Sequence, residues 1–198
     1  MNEAALIALE DLTEALEGVE DPTSADLVAA RVAVDYLVLH RCAAAQGAQS
    51  AALEERVKAA AEAVQQAECY GSPGLRAALE LSRMRLGEAT PLPRSEAAVC
   101  ALELLLNSRD VLILLLDSVN NAASAKAVVP HLESALAYAQ VLQDFAGQFS
   151  ESEPDAARAE SLYRQLEDSR RDLQQAIGTV MEQDCYGSAA LQALLEEV

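Results

Sequence analysis

Apolar residues recur along this chain every three or four positions. Leu6, Leu9, Leu12, Leu16 and Val19 make a first stripe, Val28, Val32, Tyr36 and Leu39 a second, and Leu53, Val57, Ala60, Val64 and Ala67 a third. That spacing puts each set on one face of a helix, and burial of such a face is what makes the helix stable in water. Gly18, Asp21 and Pro22 end the first helix, and Thr23 or Ser24 caps the second, which runs to about Ala45. Leu162, Leu166, Leu173, Ile177 and Val180 repeat the pattern near the other end of the chain. The expected fold is all-α: three long helices and a short fourth in each half, packed as a helical bundle.

The two halves also share sequence. Residues 68–80 read ECYGSPGLRAALE and residues 184–196 read DCYGSAALQALLE. Their cysteines lie 116 positions apart, whereas LEGVEDPTSADLV (16–28) and LDSVNNAASAKAV (116–128) are offset by 100. The pattern reads as a tandem duplication of a helical-hairpin unit, with 1–88 as repeat one, 89–94 as linker and 95–198 as repeat two. The 16 extra residues of repeat two, placed at a hairpin tip, lengthen each arm by about two turns. That tip is expected within Ala146–Pro154, and its shorter counterpart near Gln46–Ser50. At the shared corner, Gly71 and Gly187 suit a left-handed backbone and Ser72 and Ser188 suit helix caps. Pro73 suits a first helical position. Tyr70 and Tyr186 are expected to pack over the bend. Leu75, Ala78 and Leu79 match Leu191, Leu194 and Leu195 on the short fourth helices. A helix–helix corner accounts for each of these residues without a reactive Cys-Tyr site.

One segment departs from the amphipathic pattern. Ala97–Leu106 and Val111–Leu116 are nearly unbroken apolar runs, with Glu103, Arg109 and Asp110 the only charges across them. A helix apolar all round is expected to be buried all round, either as a central helix or at an interface with a partner or second copy. The charges in its middle exclude a transmembrane span. On this reading Leu114→Asp unfolds the protein or dissociates an oligomer. Pro130 sits awkwardly: if Ser124 caps its helix, the ring lies beyond the first turn, so a kink or a later start is expected.

Composition narrows the chemistry. Of 198 residues 52% are apolar but only 4% aromatic, so the core is expected to consist of Ala, Leu and Val. Thirty-two acidic against 14 basic residues give a net charge of −18, which argues against nucleic acid and anionic membrane surfaces. It keeps an Ala-rich surface soluble, and the alternatives are a basic protein partner or mimicry of a nucleic acid. Glu151, Glu153 and Asp155 form a weak cation contact at the expected tip. Cys42, Cys69, Cys100 and Cys185 lack zinc-site spacing. Cys42 and Cys69 fall too far apart along a hairpin to bridge, so free, buried thiols are expected. His40 and His131 have no partner at metal-binding helical spacing, and phosphate loops and activated nucleophiles are missing. The reading is therefore not an enzyme, with no catalytic, cofactor-binding or metal residue assigned and no cofactor.

The segments VEDPTSADLVAARV and VNNAASAKAVVPHLESALAYAQ, each followed by Tyr-Gly-Ser and a Leu-rich helix, carry a resemblance. Through Val119, Ser124, Ala125, Ala127, Pro130 and Leu132, then Tyr186, Gly187 and Ser188, the chain resembles small Ala-rich helical proteins of unknown function from bacterial envelopes. Those carry one such unit each, and repeat one has Ala30 where the pattern has Pro. The resemblance implies a helical hairpin unit and a periplasmic or envelope-associated location, and no activity. Met1–Asn2–Glu3 lacks signal-peptide character, so either a signal has been replaced or the protein is cytoplasmic. Three functions follow. The first is a non-catalytic scaffold or adaptor for protein–protein contacts, including self-association. The second is a binder of an apolar small molecule between the repeats, and the third an acidic inhibitor or immunity-type protein for a basic partner.

Overall fold

The computed structural model describes residues 3–42, 48–84, 92–149 and 156–196. Among them are eight α-helices and no strand: α1 (Glu3–Glu17), α2 (Pro22–Arg41), α3 (Ala48–Gln66), α4 (Pro73–Leu81), α5 (Arg94–Asp117), α6 (Ala122–Gly147), α7 (Ala156–Glu182) and α8 (Ala189–Leu195). The all-α helical bundle is the fold expected from the periodicity. α1 packs closely against both α2 and α3, and α4 lies on α2. In the second half α5 packs against α6 and α7, and α8 lies on α6. In each half, then, the third helix finds its closest partner in the first helix rather than in the second. α4, α5, α2 and α6 join the halves.

The helix starts show why the chain breaks where it does, and they correct the expected caps. Asp21, not Thr23 or Ser24, is the N-cap of α2: its carboxylate accepts from the Ser24 N–H at 2.7 Å, and the Ser24 hydroxyl accepts from the Asp21 N–H at 3.0 Å. Asn121 caps α6 in the same reciprocal way with Ser124. Two orphan donors are satisfied at each start. Counted from Asn121, Pro130 lies well inside α6, which begins where α2's pattern would put it and continues through the proline. Pro130 and Lys126 are both exposed, so water can serve the carbonyl that the ring leaves without a donor.

At the corners the left-handed turn is longer than one glycine. Glu68, Cys69, Tyr70 and Gly71 have φ of 51°, 52°, 51° and 80°; Asp184, Cys185, Tyr186 and Gly187 have 47°, 46°, 51° and 77°. A single left-handed glycine would only stop a helix. Four such residues reverse the chain within one turn and drop the cysteine into the core, while Ser72 and Ser188 accept from Leu75 and Leu191 to start α4 and α8. α2 is shorter than expected, ending at Arg41. The second and third helices of the second half are longer, α6 having 26 residues to the 20 of α2 and α7 27 to the 19 of α3, but in neither half do they pack on each other as the expected hairpin would. Of the expected tips, 46–47 and 150–154 lie outside the described residues, as do Glu151, Glu153 and Asp155 and residues 89–91 of the expected linker; Ala48–Ser50 belong to α3, Ala146 and Gly147 to α6, and Arg94 already begins α5.

The core is continuous across the two halves. The first cluster joins Leu9, Leu12, Leu16, Val32, Leu75 and Leu79 to Cys100, Ala101 and Leu104 of α5 and to Leu142 and Phe145 of α6. A second cluster centres on Leu112, Leu116, Leu132, Val180 and Leu191. A third ties Val99 and Leu102 to Ala159, Leu162 and Leu166. α5 takes part in all three. No helix among the described residues is long and apolar enough to cross a membrane.

Candidate binding groove

The apolar character of α5 outruns the neighbours available to cover it. Its N-terminal half is clasped by α4, α2 and α7, but Leu114 is 48% exposed, and Leu105, Leu106, Ile113 and Leu115 are only partly buried. The expectation of burial on all sides is thus corrected: α5 is central, yet keeps an open strip, because α4 is only nine residues long and covers one part of it. Where Leu106 and Leu114 stay uncovered, between α2, α4, α5 and α7, runs a groove of about 550 Å³, whereas Leu105 and Ile113 border separate clefts. Leu106, Val111, Leu114 and Leu162 form its apolar wall, and Asp26, Glu103, Asp110 and Arg158 bring charge to it.

Asn107 is the polar centre of this wall. It is only 8% exposed, and its amide nitrogen donates to Asp26 Oδ1 at 3.4 Å. Its carbonyl oxygen is buried with no hydrogen-bond partner among the described residues. Gly74, in the first turn of α4, makes room for this side chain. A Cβ there would lie 2.6 Å from Asn107 Cγ, so the helix start can approach α5 only as glycine.

The charges in the groove are unevenly compensated. Arg158 is held by Glu103 at 2.6 Å, tying α7 to α5. Asp110 accepts from the Ser169 hydroxyl at 3.3 Å. Desolvation nevertheless pushes its carboxyl above the usual range, with Asp26 and Asp172 adding to the rise. Asp26 and Asp110 therefore face the groove as two acidic groups without a basic partner between them, whereas the one arginine of the lining is already paired.

Residues singled out from the sequence lie elsewhere. His40 and His131 are both exposed. The four cysteines are free thiols, three of them buried and Cys42 half-buried. Burial, with Glu103 and Glu80 nearby, pushes the Cys100 thiol up to about 12, which keeps it protonated and unreactive. The Cys185 thiol donates to the Met181 sulfur at 3.5 Å. No group of three or more His, Cys, Asp or Glu among the described residues is arranged to hold a metal ion.

Sequence reasoning missed Asn107 and Asp35. Asn107 interrupts the apolar run of α5 between Leu106 and Val111, and a tally of charges alone passes over it. Asp35 sits in VAVDYLVL on α2, is 8% exposed, and has a carboxylate oxygen without a partner among the described residues. A lone polar residue inside an apolar run was the available signal for Asp35, whereas Asn107 opens the polar stretch Asn-Ser-Arg-Asp and does not stand out in it. No family model, curated protein or solved structure matches this chain.

Proposed function

We propose that the protein is a non-catalytic helical scaffold or adaptor, built from a duplicated unit, that docks a protein partner through the groove along α5. The observation that carries this reading is Leu114, a large apolar residue 48% exposed at the rim of a concave, partly acidic surface. Apolar anchors beside a charged rim suit protein recognition. The net charge of −18, and Asp26 and Asp110 with neutral donors and no ion pair among the described residues, favour a basic partner, which also accommodates an inhibitor-type role. The duplication is supported by the matching left-handed corners and by the parallel helix pairings of the two halves. A periplasmic or envelope-associated location belongs to the same proposal and rests on the sequence resemblance alone.

The test is retention of one stoichiometric partner from native cell fractions by the wild-type protein, compared with Leu114→Asp. Because Leu114 is half exposed, the variant is expected to melt within about 1–2 °C of wild type, the change of a surface substitution, and to lose the partner. A partner retained equally by both proteins would remove the groove from the docking reading. A second reading, a small molecule bound between the halves, is favoured by the groove's volume of about 550 Å³, within the range of ligand pockets.

A further inference from the structure

We infer that the cleft between α6 and α7 binds a medium-chain fatty acid, its carboxylate on Arg109 and Arg170 and its alkyl chain along Leu112, Leu136, Leu173 and Ile177. This cleft is separate from the groove beside Leu114, so the inference stands apart from the docking proposed there. α6 and α7 each pack on α5 but not on each other. The gap between them, about 540 Å³, has Leu105, Arg109 and Leu112 of α5 as its floor and Leu194 of α8 at its rim. That volume suits a small ligand. Polar and apolar groups are sorted along it. Leu112 and Leu116 cluster with Leu132, and Leu104 with Leu142 and Phe145, so α5 and α6 run in opposite directions. Arg109 and Asp110 bond to Leu166 and Ser169, and Val99 packs with Ala159, so α5 and α7 run in the same direction. Arg109, Arg170, Gln140 and Gln143 therefore share one end, and Leu136, Leu173, Ile177 and Leu194 the other, with Glu133 and Gln174 exposed at the rim.

The polar end lacks an anion. Neither Arg109 nor Arg170 has a carboxylate within ion-pair distance among the described residues, whereas Arg31, Arg56, Arg158 and Arg164 each have one. Half-buried Arg109 donates to the Leu166 carbonyl at 2.7 Å and has no other acceptor among the described residues. Burial, with the charge of Arg170 adding, pulls its guanidinium below the ordinary value, and Glu167 only partly opposes this. A carboxylate held between the two guanidinium groups relieves both effects. Arg109 and Arg170 against Glu167 leave one positive charge, which matches a monoanion. Arg170 and Ile177 lie about 10 Å apart along α7, the reach of an octanoate chain. A peptide there would press its backbone N–H and C=O groups against leucines, so the occupant is a free chain.

Octanoate is the probe. Isothermal titration compares it with butyrate, which carries the same head on a shorter chain, and with octanol and octylamine, which carry other heads on the same chain. The expected result is saturable one-to-one binding of octanoate, at least about tenfold tighter than that of each of the other three. A net charge of −18 attracts octylamine and repels octanoate, so diffuse electrostatics would give the opposite order. Arg170→Gln, a change at an exposed residue, is expected to weaken octanoate about tenfold with the helical spectrum unchanged. Ala139→Phe, which fills the cleft without altering charge, is expected to weaken it at least as much. Arg164→Gln, exposed on the same helix but outside the cleft, is expected to bind as wild type does. Octanol, butyrate or octylamine binding as tightly as octanoate, no saturation, or equal affinities of the Arg164 and Arg170 variants would overturn the inference. So would binding of acetyl-Leu-Glu-Leu-amide in preference to octanoate, which would make the cleft a surface for an acidic peptide. Failure of the docking reading is seen separately, as a partner that Leu114→Asp retains.

Discussion

At the scale of single residues, Asp35 sets a pH dependence. It is almost wholly buried, and burial, with Asp11 adding to it and Arg31 opposing, pushes its carboxyl up to about 7 from the ordinary 3.8. Arg31 cannot fully compensate because it already serves Asp11 at 2.8 Å and Glu14 at 2.9 Å. From α6, Tyr138 faces the same group. The unfolded chain releases this proton near 3.8 and the folded chain near 7. Between those values the folded state binds more protons, so stability falls as pH rises, and the full penalty is present above 7. That gap corresponds to at most about 4 kcal/mol. Asp35→Asn, which cannot ionise, is expected to be more stable than wild type by up to this amount near about pH 8 and about equal to it near about pH 4, read from urea unfolding at both values. A constant difference across pH would remove Asp35 as the cause. Gly74 makes a steric claim of the same size. Gly74→Ala gains helix propensity, yet its Cβ meets Asn107, and the net expectation is a loss of about 1–3 kcal/mol. Asn107→Gly in the Gly74→Ala background is expected to recover part of that loss, with a coupling above about 0.5 kcal/mol in a double-mutant cycle.

At the scale of elements, the corners carry strain that only some residues tolerate. A non-glycine residue in left-handed helical geometry costs about 1–2 kcal/mol. Glu68 is exposed, so replacing it with glycine relieves its backbone without losing buried contacts. Glu68→Gly is therefore expected to be neutral or stabilising, whereas Glu62→Gly, on the exposed side of α3, is expected to cost about 1 kcal/mol, both measured by chemical denaturation. Equal losses at the two sites would mean that the corner is not left-handed at Glu68. The helices themselves were legible in the sequence because stripes of spacing three and four must be buried, and Leu9, Leu12, Leu16, Val57 and Val64 are. The helix stops were legible through Gly18, Pro22 and Gly71. Asp21 and Asn121 were overlooked as caps because neighbouring Thr and Ser residues carry the same propensity, and only geometry shows which side chain reaches the third N–H. The left-handed reach of Cys69 and Tyr70 had no sequence signal, since these residues rarely adopt it and here the buried cysteine and the Ser72 cap hold them there. The groove was half legible: α5 was marked as unusual, but which strip stays open depends on the length of α4 and the path of α7.

At the scale of the molecule, the two halves of the chain do not form two separate cores. Leu75, Leu79 and the α1–α2 leucines share a cluster with Cys100, Ala101 and Leu104 of α5 and with Leu142 and Phe145 of α6, all supplied by the second half. α4 packs as a lid on both α2 and α5. A chain of residues 1–88 would therefore expose the face of α4 that α5 covers, together with the inner face of α2 where α6 crosses it. Large-to-small changes in such a core cost about 2–5 kcal/mol each, comparable with the whole stability of a small domain, and here five buried side chains are removed at once. The expected outcome is that 1–88 alone shows a broad, non-cooperative thermal transition and associates with rising concentration. Mixed with 95–198, it is expected to recover one cooperative transition near that of the intact chain. Circular dichroism melts of each piece and of the mixture, with calorimetry of the intact protein, decide this. A sharp transition for 1–88 alone would mean that α1–α4 suffice for a core, and that the contacts to α5 and α6 join two independently stable units.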